Sequence, residues 1–356
     1  MRALKTRRSV TNFVSGAAVL VAASLLLGGC TSSTPPADES TDAASSPSST
    51  PTPTPTPLTK YPLTGEIVDA GAPTGGASIA SKIDNHIAAR PQIGLQYTDL
   101  VYEELVEGGL TRYVAVWQSH IPELYGPVRS IRGMDPSIVS PLGGIITYSG
   151  GQPVFVRRIQ ATDVVNVSHD QYGGDENIFF RTGEKAAPHN VIAKGQNILE
   201  KFGKDLEAPS QQFPFSTAYE TSTAYIGGTP TSQINATFSQ ASAPTWKWSE
   251  DKKVWLRFQT GGAKDVSDDG KQLRATNVLT VHVKTEVQAH TPVSILIGTG
   301  KATVSTAGKT VEGTWEKKSK KGKLRIVDAN GAPILLAPGN TWIELIADAG
   351  TATFDE

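Results

Sequence analysis

The stretch DLVYEELVEGGLTRYVAVWQS, residues 99–119, decides the fold class. It holds two runs rich in apolar and β-branched residues, 99–106 and 112–119, on either side of Glu107-Gly108-Gly109. Adjacent glycines accept positive φ, so the runs read as two strands joined by a turn. Working outward, residues 78–84 read as a strand through Ile79 and Ile83, and 145–149 as a short buried one. Asp135-Pro136 reads as a helix start, because Asp accepts from orphan N–H groups and Pro suits the first helical position. The apolar spacing of 191–202 predicts a further helix. Residues 59–206 are therefore read as a mixed α/β domain.

Beyond about residue 245 the pattern changes to short alternating runs: 246–248, 254–258, 277–284, 293–298, 310–315, 323–327 and 342–346. Turns such as Asp268-Asp269-Gly270 and Ala329-Asn330-Gly331 separate several of them. Residues 245–356 are read as a mainly antiparallel all-β domain, and the Ser/Thr-rich 207–244 as a connector. The expected class is α+β.

The chain begins with a leader. Arg2, Lys5, Arg7 and Arg8 precede an apolar run from Phe13 to Leu27 broken only by Ser15, Gly16 and Ser24. That order is a secretory signal, too short and too rich in small residues for a membrane-spanning helix. The run ends in Leu27-Gly28-Gly29-Cys30, which resembles the lipobox of bacterial lipoproteins. The expectation is a signal peptide over 1–29, cleavage before Cys30, and a diacylglycerol on its thiol. Cys30 is the single cysteine in 356 residues, so no intramolecular disulfide is available and a thioether to lipid accounts for it. Two acyl chains anchor stably without a spanning helix. Residues 30–58 are Ser, Thr, Pro and Ala with a few acids, ending in Pro51-Thr52-Pro53-Thr54-Pro55-Thr56-Pro57. Such a segment buries nothing and stays extended, a stalk of up to roughly 80 Å. The expected location is the cell membrane, lipid-anchored on its extracytoplasmic face.

The formal charge is −1. Loss of the four leader cations takes it to about −5, so no basic excess points to nucleic acid. No phosphate loop of the Gly-x-x-x-x-Gly-Lys-Ser/Thr type occurs. The six tryptophans, mostly in the β half, read as core or cross-strand pairs.

Charged residues interrupt or border the predicted core strands. These are Asp84, Glu103, Glu104, Glu107, Arg112, Arg129 and Arg132, with Arg181 and His189 further on. A charge there is costly unless it is paired or opens on a cleft, and strand ends are where open α/β sheets bind ligands. Arg112, Arg129, Arg132, Arg181 and His189 are candidate anion binders, since guanidinium matches phosphate or carboxylate bidentately. Asp84, Glu103, Glu104 and Glu107 are candidate acid/base groups. The competing reading is an ion-pair network that only specifies the fold. His86 and His189 with Asp84 are weak as a metal set, and Ser149 lacks the preceding glycine of a nucleophile elbow. No metal or cofactor is expected.

Several blocks resemble the YerB-like family of bacterial lipoproteins, whose domains carry no assigned function. They are Asp84-Asn85-His86, Ala89-Arg90-Pro91-Gln92, the stretch from Tyr102 to Gly109 followed by Thr111-Arg112, Gly126-Pro127-Val128-Arg129-Ser130 and Pro188-His189-Asn190. Ser149-Gly150-Gly151 also matches, with Tyr148 where the family has histidine. The β half matches through Asn277-Val278, Gly313-Thr314-Trp315 and Pro338-Gly339-Asn340-Thr341-Trp342, so the resemblance spans about 61–346. It implies a tethered lipoprotein of two domains and implies no reaction. The expected function is an envelope binding or scaffold module with an anion site in the first domain, whose partner is a wall polymer or envelope protein. The alternative is an envelope hydrolase or a phosphoryl or glycosyl transferase. A transporter's binding protein fits the all-β second half poorly.

Overall fold

β1 (Ile79–Asp84), β2 (Leu100–Leu105) and β3 (Thr111–Trp117) form the antiparallel centre of a large sheet, in the order β2-β3-β1. The computed structural model describes residues 59–68 and 75–356. The signal peptide, Cys30 and the stalk expected over 30–58 lie outside the described residues. β3 is buried at all seven positions, because the sheet is covered on both faces. Leu100, Tyr102, Val114 and Val116 face a core shared with the helices Asp135–Val139 and Pro153–Gln160. Val101, Tyr113, Ala115 and Trp117 face a second core with Trp246, Trp255 and Trp342.

The sheet runs through both halves of the chain. Beyond β1 lie Ile145–Tyr148 and Val165–Ser168, both parallel. On the other side β2 pairs in parallel with Thr341–Ile346, followed by Asn277–His282, Gly298–Thr306, Lys309–Lys317 and Arg325–Val327. A five-stranded antiparallel sheet, with Val254–Phe258, Thr245–Ser249, Gln233–Thr237 and Thr351–Asp355 among its strands, supplies Trp246, Trp255 and Ile234 to the second core. The protein is mostly sheet with short helices.

Two expectations need correction. The helix read over 191–202 is a strand, Val191–Lys194, followed by a helix, Gly195–Phe202. The contiguous Val191-Ile192-Ala193 is buried by pairing with Phe179–Arg181, which helical periodicity alone does not distinguish. The connector read over 207–244 contains the strand Gln233–Thr237, flanked on both sides in its sheet. Its inward residues, Ile234 and Ala236, alternate with polar ones that hide the pattern in a Ser/Thr-rich context.

The seam between β2 and Thr341–Ile346 places Glu103 beside Glu344. Both point at the guanidinium of Arg257, which is wholly buried. Its Nη2 lies 2.5 Å from Glu103 Oε2, Nε 2.9 Å from Asp265 Oδ2 and Nη1 3.3 Å from Glu344 Oε1. Trp342, Trp246 and Tyr113 present their rings to it at 4.8, 5.2 and 5.7 Å. Burial and the adjacent Glu103 push the Glu344 carboxyl well above the usual range. The buried cation thus faces three carboxyl groups and three π-systems.

Removing one partner of such a cluster strands the others. Arg257→Met is expected to cost about 3–5 kcal/mol in urea unfolding. A loss below about 1 kcal/mol would show that the seam does not rest on this group.

Candidate functional site

Residues alternate across a strand, and residues opposite one another on antiparallel strands share a face. Asp84 lies opposite Arg112, and Glu104 lies opposite Arg112 from the other side, so these three and Lys82 share the helix-covered face. Asn85, Glu103 and Thr111 belong to the other face. Glu103 and Glu104 are neighbours in sequence and cannot converge on one substrate.

On the helix-covered face the innermost group is Lys82. It pairs with Glu104 and, at 2.8 Å, with Asp135 Oδ1. Burial pushes the ammonium down to about 8 against the opposing pull of Asp135. Asp135 Oδ2 accepts from the Arg132 backbone N–H at 2.6 Å, which ties the start of its short helix to the strand.

Nearer the surface stand three arginines. Arg132 is satisfied: its Nε and Nη2 donate to Glu107 Oε2 at 3.0 and 2.7 Å, and Nη1 to the Ser130 and Ile131 carbonyls. Burial works against the Glu107 charge, but Arg132 and the Thr291 hydroxyl, 2.6 Å from Oε1, outweigh it and hold the carboxyl at about 2. Arg129 Nε lies 3.0 Å from Asp84 Oδ2 without hydrogen-bond alignment, and its Nη1 donates to the Pro188 carbonyl at 3.3 Å. Arg112 differs. It is only 7 % exposed, and its one hydrogen bond among the described residues runs from Nη1 to the Ser130 carbonyl at 2.7 Å. No carboxylate among the described residues lies within 4.0 Å of it. Burial, then Arg132 and Arg129, lower its pKa to about 10.

Asp84 is the hub of the rim. Oδ2 meets His189 Nδ1 at 2.6 Å as well as Arg129, and Oδ1 accepts from the His86 backbone N–H at 3.0 Å. The His86 ring stacks on His189 with centroids 4.4 Å apart and planes 16° from parallel. His86 Nδ1 accepts from the Ala88 N–H at 3.1 Å, which puts its proton on Nε2.

A model of the "Protein of unknown function (DUF3048) N-terminal domain" matches residues 63–208, and one of the corresponding C-terminal domain matches 234–343. The chain belongs to the DUF3048 family. It is 25 % identical over 315 residues to the Bacillus subtilis protein named "Putative lipoprotein YerB", covering 83 % of this chain and 89 % of that one. The crystal structure of YerB protein from Bacillus subtilis has the same fold, with a TM-score of 0.72 at 24 % identity over 83 % of this chain and 99 % of that chain.

The DUF3048 blocks noted in the sequence divide between the two faces. Asp84 serves the arginine rim. Its neighbour Asn85 donates to Thr111 Oγ1 at 2.8 Å, and Thr111 donates to Glu103 Oε1 at 2.6 Å, a chain that ends on Arg257. Arg90 and Gln92 donate to Asn85 Oδ1 at 3.1 and 3.2 Å and fix it there. Of the candidate residues, the structure therefore brings together Asp84, Arg112, Arg129, Arg132, Glu107 and His189. It sends Glu103 to the seam and Glu104 to the buried lysine. Arg181 is exposed at the end of the strand Phe179–Arg181, bonded to Asn190 Oδ1 at 2.8 Å. Among the described residues no group of three or more His, Cys, Asp or Glu is placed to hold a metal ion.

Sequence reasoning missed Lys82, Asp135, Asn85 and Arg257. Arg257 had a signal: period two in 254–258 puts it on the same side as Trp255, facing the core.

Because Glu107 is held below its unfolded value, its contribution to stability is present above about 4.5 and fades as pH falls toward 2. Glu107→Gln is expected to be less stable than wild type at pH 6, with the difference closing below pH 4 in chemical-denaturation series. A gap independent of pH would remove the charge from the account.

Proposed function

We propose that the chain is a lipid-tethered module on the extracytoplasmic face that binds an anionic group of envelope material at Arg112. The observation that carries this is a nearly buried guanidinium without a carboxylate partner, flanked by two further arginines. Lys82 and Arg132, the buried cations beside it on this face, are each paired with a carboxylate among the described residues. A buried charge left without one is costly, so the arrangement calls for an anion from outside. Phosphate or carboxylate would take the donors that Ser130 leaves free, with Arg129 alongside. The tether rests on the leader, on Cys30 and on the lipoprotein name of the Bacillus subtilis relative. A wall polymer or an envelope protein would present the anion, and the shared sheet would serve as the scaffold.

One observation favours a second reading, an envelope hydrolase. His189 meets the Asp84 carboxylate through Nδ1, which leaves Nε2 with a lone pair beside the arginines, the arrangement of a general base. That role requires turnover of a phosphate ester, abolished by His189→Gln, whereas the binding module requires only affinity.

Titration of inorganic phosphate into the detergent-purified chain tests the first reading. Wild type should bind, and Arg112→Gln should bind at least about tenfold more weakly, the effect of one lost charged hydrogen-bonding partner. Its unfolding free energy should stay within about 1 kcal/mol of wild type, because no internal ion pair is broken. Absence of phosphate binding, together with severe destabilisation by Arg112→Gln, would make Arg112 a structural residue.

A further inference from the structure

A second, separate site lies at the opposite end of β2 and β3 from Arg112. Tyr97 ends the short turn Leu95–Tyr97 that leads into β2. Its ring is 42 % exposed and packs against the His120 ring with centroids 4.6 Å apart. Beside it a groove of about 750 Å³ runs over the outer side of the five-stranded sheet. Four cations from separate stretches line it: Lys252, Lys264, Lys271 and Arg274. Between them lie half-buried Leu256 and Val266. Arg274 is the cross-strand neighbour of Leu256, so register sets its position. A second hollow of about 350 Å³ shares Gln96, Tyr97 and Arg274 with the first and is lined also by the acidic Glu66 and Asp99.

Within the first groove, the channel beside Tyr97, the charge balance is one-sided. Lys271 is paired with Asp269 at 2.9 Å. For Lys252, Lys264 and Arg274 no carboxylate lies within 4.0 Å among the described residues. In a chain whose formal charge is negative, three unpaired cations around one concavity are a local excess. The tyrosine platform is held rather than loose. The adjacent Gln96 donates to Asp268 Oδ1 at 3.3 Å and accepts from the Ser267 hydroxyl.

We infer that this channel binds a linear anionic glycan. Ammonium and guanidinium groups meet its carboxylates or phosphates. The exposed Tyr97 ring offers an apolar, rigid face on which a sugar ring lies flat, with a hydroxyl at its edge. The volume of the groove, about 750 Å³, suits several residues of a chain rather than one small anion. This site is independent of Arg112, and either can fail without the other.

The test uses the detergent-purified full chain with three probes: a hyaluronan decasaccharide, neutral chitohexaose and polyphosphate. Hyaluronan should bind, and its affinity should fall about tenfold or more between roughly 0.05 and 0.5 M salt. Lys264→Glu with Arg274→Glu should abolish that binding, while Arg112→Gln should leave it unchanged. Tyr97→Ala should weaken hyaluronan but not polyphosphate. Failure of both charged probes to bind at low salt, or binding indifferent to the double charge reversal, overturns the site. Equal binding of chitohexaose removes the need for charge. Loss of neither probe on Tyr97→Ala removes the sugar and so overturns the assignment to a glycan.

Discussion

The Arg257 guanidinium carries the joint on which both halves of the chain depend. It comes from the five-stranded sheet and crosses to the seam where β2 meets Thr341–Ile346. Its partner Glu103 comes from the first matched domain, whereas Arg257 and Asp265 belong to the second and Glu344 lies one residue beyond it, so Glu103 is satisfied only across the joint. Desolvation of this cluster is offset only when every member is in place. The two matched segments are accordingly one folded body with a continuous sheet, and the five-stranded sheet is locked over it by the same residue.

The alternation of strands sorts the rest. Along β1 to β3, one parity delivers Asn85, Thr111 and Glu103 to the seam network, and the other delivers Lys82, Asp84, Glu104 and Arg112 to the helix-covered face. The seam network gives each of Arg257 Nε, Nη1 and Nη2 a carboxyl partner. The other face becomes progressively less saturated toward the surface: Lys82 is paired twice, Arg132 is held by Glu107, and Arg112 has one carbonyl. Charged motifs of similar appearance thus do different work. Fully compensated ones tie strands and helices together, and the proposed anion is assigned to the uncompensated Arg112.

Much of this was legible. The hairpin of residues 99–119, the strand at β1 and the helix start at Asp135-Pro136 follow from period-two patterning, the Gly-Gly turn and the proline in the first turn. The Asp135 carboxylate, however, bonds Lys82 and the Arg132 N–H rather than capping the helix. The impossibility of a joint role for Glu103 and Glu104 was also implicit in that pattern, since adjacent strand residues oppose one another. The expected cluster of four carboxylates ignored it. The pairing of β2 with Thr341–Ile346 was not legible, because about 240 residues separate the partners and parallel register leaves no local turn signal. The strand Gln233–Thr237 was hidden for a different reason: only Ile234 and Ala236 point inward, and its outward residues look like a linker. Arg112 stood out in the sequence as a charge, but its surroundings are set by a segment that follows it in the chain and carries Arg129, Ser130 and Arg132.

The central claim is that Arg112, among the described residues, is a buried cation without a protein anion, beside Lys82 and Arg132, which have theirs. Crystals soaked in selenate, with data collected at the selenium edge, test it most directly. The account predicts an anomalous peak within hydrogen-bonding distance of the Arg112 Nε or Nη2 donors, beside Arg129, and none at Arg257. A structure in which Arg112 is closed by a carboxylate of the protein, with no anion at that position, would contradict it.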